Sequence, residues 1–89
     1  MKTVVFYERS DVSMEKVMEV YPMHKQLVDD FAKEGKVIAI GAFANPAGGS
    51  MGVFKDRASA EEFVSQDPFV KASIVGKMRT KEWNEILLS

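Results

Sequence analysis

The sequence predicts an α+β sandwich with the element order β-α-β-β-α-β. Three observations carry that reading. The N-terminal run "KTVVFYE" is β-branched and aromatic, with no breaker. Apolar residues then recur at helical spacing over residues 13–34. A second block follows, in which two strands separated only by the turn stretch "NPAGG" lead into a shorter helical pattern. In this order both helices lie on one face of the sheet, the ferredoxin-like arrangement.

Each element has its own local reason. Residues 2–8 form the first strand. In the first helix Met14, Val17, Met18 and Tyr21 make an i, i+3, i+4, i+7 stripe, which Leu27, Val28 and Phe31 continue after Pro22. Pro22 suits the first position of a second helical segment better than an interior one, since it has no N–H to donate. Gly35 stands where a left-handed C-terminal cap belongs. Residues 36–44, "KVIAIGAFA", are the second strand and residues 50–56 the third. Ser59 and Glu62 have capping-box spacing and open a helix over 60–66, with Phe63 and Val64 facing inward. Residues 73–82 are the fourth strand, and "EWNEILLS" closes the chain.

Composition narrows the function classes. Eighty-nine residues make one domain, 1–89, with 46% apolar and 28% charged residues and a formal net charge of −1. The basic residues are scattered, so neither a nucleic acid nor an anionic membrane is an expected partner. No apolar run approaches the ~20 residues of a membrane span, and the N-terminal stretch reads as a strand rather than a secretory segment. The chain has no cysteine, which excludes disulfides and thiol chemistry and fits a reducing, cytoplasmic setting.

The second strand is apolar on both faces if it alternates strictly: Val37, Ala39 and Phe43 against Ile38, Ile40 and Ala42. The first strand is likewise two-faced, with Val5 and Tyr7 opposite Val4 and Phe6. Strands buried on both faces need cover on both, and the helices supply only one. A second copy, sheet against sheet, is the simplest supplier, so a homodimer through the sheet face is expected.

His24 is the only histidine. Positions 24, 27, 28 and 31 share a helix face, so its ring points toward the sheet rather than solvent. A histidine there is either a functional group or one satisfied by a backbone carbonyl. Asp67, directly before Pro68, is a natural N-cap for the short turn "PFVK", and its second oxygen stays free to take another partner.

The stretches "VYPMHKQLVDDFAKEGKVIAIGAF", "SAEEFVSQDPFVKASIV" and "KEW" resemble the YCII-related (YciI-like) domain family. The likeness runs from "VVFYERSD" to "KEWNEIL" and rests on the order and spacing of a helical His, a strand ending in Gly-Ala-Phe, and "DPF". It implies membership of the dimeric α/β-barrel group, in accord with the dimer expected from strand patterning. It also implies that His24 and Asp67 sit together in a cleft as a His-Asp pair.

Such a pair fixes the imidazole's tautomer and leaves the other nitrogen for proton transfer. The expected activity is cofactor-independent lyase or isomerase chemistry on a small organic molecule, with His24 moving the proton and Asp67 orienting it. The family's similarity to dimeric α/β-barrel isomerases, and a dehydrochlorinase-like activity within it, point the same way. The alternative is a non-catalytic ligand-binding or regulatory homodimer using the same pair. Tyr7, Gly41, Phe43 and Phe69 are candidate ligand-binding residues, though core packing explains each aromatic as well. Gly41 and Gly76 either admit a ligand or accommodate a bulge. One histidine and one aspartate fall short of a metal's usual three or four ligands, and "NPAGGSMG" lacks the spacing and lysine of a phosphate loop. No metal or cofactor is expected. The serines read as caps, turns or surface residues, and Met14 and Met18 as core filler.

Overall fold

The computed structural model describes residues 1–86. The last three residues of the "EWNEILLS" stretch lie outside the described residues. Four strands, β1 (Lys2–Arg9), β2 (Val37–Ala42), β3 (Ser50–Phe54) and β4 (Val75–Trp83), form one sheet in the order β2-β3-β1-β4. Every neighbouring pair is antiparallel. The helices are α1 (Met14–Lys33), α2 (Arg57–Gln66) and a single turn, α3 (Pro68–Lys71). This is the ferredoxin-like α+β topology that the pattern predicts.

α1 is one unbroken helix of 20 residues, not two segments meeting at Pro22. Pro22 leaves the Met18 carbonyl without its intrahelical donor, but the proline sits on the exposed side, where water can replace it. Ser13 caps the N-terminus, its Oγ accepting from the Lys16 amide at 3.2 Å. At the other end Gly35 takes a φ of +71°. Its amide donates to the Ala32 carbonyl at 3.0 Å and that of Lys36 to the Phe31 carbonyl at 2.9 Å. These two bonds make the Schellman cap.

The buried face of α1 differs from the expected stripe. Val20, His24 and Phe31 are buried, whereas Met14, Met18 and Tyr21 are 46%, 63% and 44% exposed. The two methionines are therefore not core filler. The helix rolls so that Val20, one turn before His24, takes the core position, and the Met14–Tyr21 edge overhangs the side of the sheet. At α2 the cap is Asp56 rather than Ser59. Asp56 Oδ1 accepts from the Ser59 amide at 2.8 Å, so the helix begins three residues before the expected position. Glu62 pairs instead with Lys36.

Between α1, α2 and the sheet lies a core of Val5, Tyr7, Phe31, Val37, Phe54 and Phe63. The Phe63 ring meets Phe31 edge-on at 5.3 Å and Phe54 at 5.2 Å between centroids, the offset geometries aromatic quadrupoles favour. A bulge shifts the β2–β3 register between Val37 and Ala39. Val37, Ile40 and Ala42 consequently pair with Phe54, Gly52 and Ser50 on the helix side, and Ile38 is left 54% exposed. Strict alternation misassigns β2 because the extra residue inverts the faces after it. A second irregularity, where Glu8 pairs with Lys77 and Arg9 with Val75, leaves Gly76 as the unpaired residue. The sheet's other face carries Val4 and Phe6 on β1 with Met51 and Val53 on β3. No helix covers it.

The β2–β3 connection places one glycine against the site. Gly49 is buried with a φ of +91°, and a Cβ there would stand 2.0 Å from the Tyr7 carbonyl oxygen. Only glycine lets this loop close so tightly over β1.

Candidate active site

Asp67 stands at the junction of α2 and α3 and is the reason the two meet there. As C-cap of one and N-cap of the other it takes extended backbone, as residues before proline do. The side chain is fully buried and accepts three hydrogen bonds. The Phe69 amide donates to Oδ1 at 3.0 Å, the capping bond that the Asp-Pro pair predicts. His24 Nδ1 lies 2.8 Å from the same oxygen, and the Tyr7 hydroxyl donates to Oδ2 at 2.8 Å. Asp67 therefore caps the turn and also holds His24.

His24 reaches this point because Val20, Leu27 and Phe31 seat α1 on the core with position 24 facing the sheet. Its ring lies nearly parallel to that of Phe69, 4.0 Å away with 7° between planes, and meets the edge of Phe63 at 6.0 Å. A carboxylate offers only acceptors, so Nδ1 carries the proton and Nε2 is left as the basic nitrogen. Stacking and hydrogen bond together fix both the tilt and the tautomer of the ring.

Tyr7 is the third member of the chain, a role its sequence position did not disclose. It is buried on the helix-facing side of β1. Burial, then the negative charge of Asp67, then the hydrogen bond to it push the hydroxyl well above its ordinary value of 10.0. An unfolded tyrosine loses its proton above that value while the folded one keeps it, so the unfolded state then binds fewer protons. This contribution to stability is complete below pH 10.0 and declines as the pH rises further. The melting temperature of the wild type is expected to fall more steeply above this pH than that of Tyr7→Phe. Identical alkaline slopes in the two proteins would refute the buried Tyr7–Asp67 contact.

A cleft of about 390 Å³ opens beside His24, within the range of small-molecule sites. Tyr21, Val28, Ile40, Gly41 and Phe69 help to line it. A smaller, almost wholly apolar recess adjoins it and is lined by Tyr7, Arg9, Ile74 and Val75. The two share Met14, Val17, Ala42, Ser50 and Phe69 as common walls. Of the candidate ligand-binding residues, Gly41 and Phe69 thus face the His24 cleft and Tyr7 the adjoining recess. Phe43, 39% exposed just beyond β2, lines neither. Arg9, Ser50, Met14 and Val17 were not singled out by the sequence. Arg9 had one signal, a cation two residues after Tyr7 on the same pleat, but no pattern links Ser50 or Met14 to His24 without the fold. Among the described residues no further acid joins His24 and Asp67 to make a group of three that could hold a metal ion.

A four-stranded antiparallel sheet with a buried His-Asp pair beside an apolar cleft defines a ferredoxin-like α+β domain with a candidate small-molecule site. The family model of the YCII-related domain matches residues 1–84, and the chain belongs to that family. Its fold is shared by 5-chloro-2-hydroxyhydroquinone dehydrochlorinase (TftG) from Burkholderia phenoliruptrix AC1100, solved in complex with 2,5-dihydroxybenzoquinone. That match has a TM-score of 0.77 at 17% identity and covers 94% of each chain. An antibiotic biosynthesis monooxygenase matches with a TM-score of 0.61 at 14% identity, over 97% of this chain and 98% of that one. A hypothetical protein of Arabidopsis thaliana matches with a TM-score of 0.56 at 16% identity, over 99% of this chain and 89% of the other. No curated protein matches the chain. Among the described residues no helix is long and apolar enough to cross a membrane.

Proposed function

We propose that this protein is a small acid-base enzyme of the lyase or isomerase type, acting on a small organic molecule held in the cleft. His24 moves the proton through Nε2. Asp67 holds Nδ1–H and so orients the ring, leaving Nε2 toward the substrate. The observation that carries this reading is the 2.8 Å His24–Asp67 contact at the wall of a ligand-sized cleft. A histidine buried only for packing has no need of a charged partner that is itself fully buried. The quinone bound by the dehydrochlorinase neighbour supports hydroxylated or enolic ring compounds as the first substrates to try. The sequence has no thiol, and although Gly48–Gly52 spells G-x-S-x-G, its Ser50 opens β3 of an antiparallel pair rather than standing on a strand-to-helix elbow, so proton transfer is the chemistry that these residues offer.

The test is a panel of enolisable and hydroxylated ring compounds assayed on wild type and His24→Gln in parallel. Turnover by the wild type that is lost in the variant supports the reading. Binding to the cleft without turnover of any compound favours instead a binding or regulatory role.

The working unit in this proposal is a cytoplasmic homodimer joined through the uncovered sheet face. The half-buried Phe6, Met51 and Val53 form its apolar centre around the buried Val4, and Trp83 at the edge is 47% exposed. Sedimentation at micromolar concentration is expected to give a dimer, and Phe6→Glu a folded monomer. A wild type that sediments as a stable monomer contradicts this part of the proposal.

A further inference from the structure

We infer that Arg9 is the anion-recognising residue of this site and that the ligand is a small organic carboxylate with an apolar body. This assignment rests on the acid-base reading above and specifies the substrate class for it. Arg9 lines the apolar recess that shares five walls with the His24 cleft. It follows Tyr7 by two residues on the same pleat of β1, a step of about 7 Å. Tyr7 in turn bonds Asp67, which holds His24. The cation and the imidazole thus belong to one continuous site.

The guanidinium is poorly supplied with partners. Nη2 donates to the Val12 carbonyl at 3.2 Å, while Nε is buried and has no acceptor. Among the described residues no acid forms an ion pair with Arg9, although Glu8, Asp11 and Glu15 are near in sequence. Glu8 also borders the recess, but it follows the opposite pleat of β1, with Val4 and Phe6. The cation that lines the His24 cleft itself, Lys25, is already paired with Asp29 on its own helix. Arg9 thus borders an apolar recess with an unpaired guanidinium and an unsatisfied donor, and by turning from the Val12 carbonyl its fork can bind a planar carboxylate there through two parallel bonds. The walls that the two spaces share, Met14, Val17 and Phe69, then hold the ligand's body between Arg9 and His24.

The experiment uses benzoate, phenylacetate and cinnamate with their neutral amides as probes, titrated by NMR into the whole protein. At least one carboxylate is expected to shift both the Arg9 Nε–H and His24 ring signals, and to bind about tenfold or more tightly than its amide. Arg9→Gln should erase that preference and leave the amide's affinity as it was. Arg9→Lys should keep part of it, and a dispersed spectrum confirms that each variant is folded. Lys25→Gln should retain the preference. Equal affinity for acid and amide, no binding by any probe, or a preference that survives Arg9→Gln each overturn the assignment. His24→Gln separates the two proposals: it should abolish turnover yet keep the carboxylate preference. Loss of that preference in a folded His24→Gln places the anion at the imidazole and overturns the Arg9 assignment. A preference that depends on Arg9, without turnover of any compound in the substrate panel, sustains this assignment and overturns the acid-base reading alone.

Discussion

Asp67→Ala is expected to destabilise the protein by about 3–5 kcal/mol in urea unfolding, far more than the loss of a helix cap, about 1 kcal/mol. The carboxylate is wholly buried and three donors converge on it: the Phe69 amide, His24 Nδ1 and the Tyr7 hydroxyl. Truncation leaves all three without an acceptor, and each buried donor so orphaned costs about 1–3 kcal/mol. The costs are not additive, because Tyr7 and His24 can turn toward any water that enters. A loss near 1 kcal/mol would mean that the capping bond alone matters to stability.

The largest effect on activity is expected at His24. On a substrate found by the panel, His24→Gln should lower kcat by about 10²–10⁴-fold, the usual worth of a positioned general acid-base group. Glutamine can still donate to Asp67 but has no basic nitrogen to offer the cleft. The fold should persist, since Phe63 and Phe69 still pack around position 24. A kcat within a few-fold of wild type in this variant would assign the proton transfer to another group.

The sequence discloses the centre of the site better than its walls. His24 is legible because Leu27, Val28 and Phe31 place it on the buried face of a helix, and Asp67 because an acid before Pro68 reads as an N-cap with a spare oxygen, which the family resemblance then pairs with His24. That the two meet depends on α3 packing beside α1, a contact between segments more than forty residues apart that no local pattern encodes. Tyr7 reads equally well as core or pocket wall. Only the register of β1, with Tyr7 opposite Ser50 and Met78, aims its hydroxyl at Asp67. The topology is legible because hydrophobic period and turn residues agree along the chain.

The misread details share a cause. Ile38 follows strict alternation until the bulge inserts one residue, and nothing in "KVIAIGAF" announces a bulge there. Asp56 and Ser59 are both good caps three residues apart, and the choice falls to Asp56 because α2 then turns Ala60 and Phe63 into the core. Met14 and Met18 fit a helical stripe, but two adjacent stripes fit the same sequence, and packing selects the one through Val20 and His24. Propensity left these choices open, and tertiary contacts settled them.

Asp67→Asn, assayed for turnover and thermal unfolding in the same preparation, tests the His24–Asp67 pair most directly. The asparagine oxygen can still accept from the Phe69 amide and from His24 Nδ1, as Oδ1 does now. Two things change: the negative charge beside the ring is removed, and the Oδ2 acceptor of the Tyr7 hydroxyl becomes an amide donor, from which that hydroxyl must accept instead. Turnover is therefore expected to fall about 100-fold or more while the melting transition stays cooperative and loses much less than in Asp67→Ala. A folded Asp67→Asn protein with undiminished turnover would contradict the account, because the buried carboxylate would then serve the fold and not the chemistry.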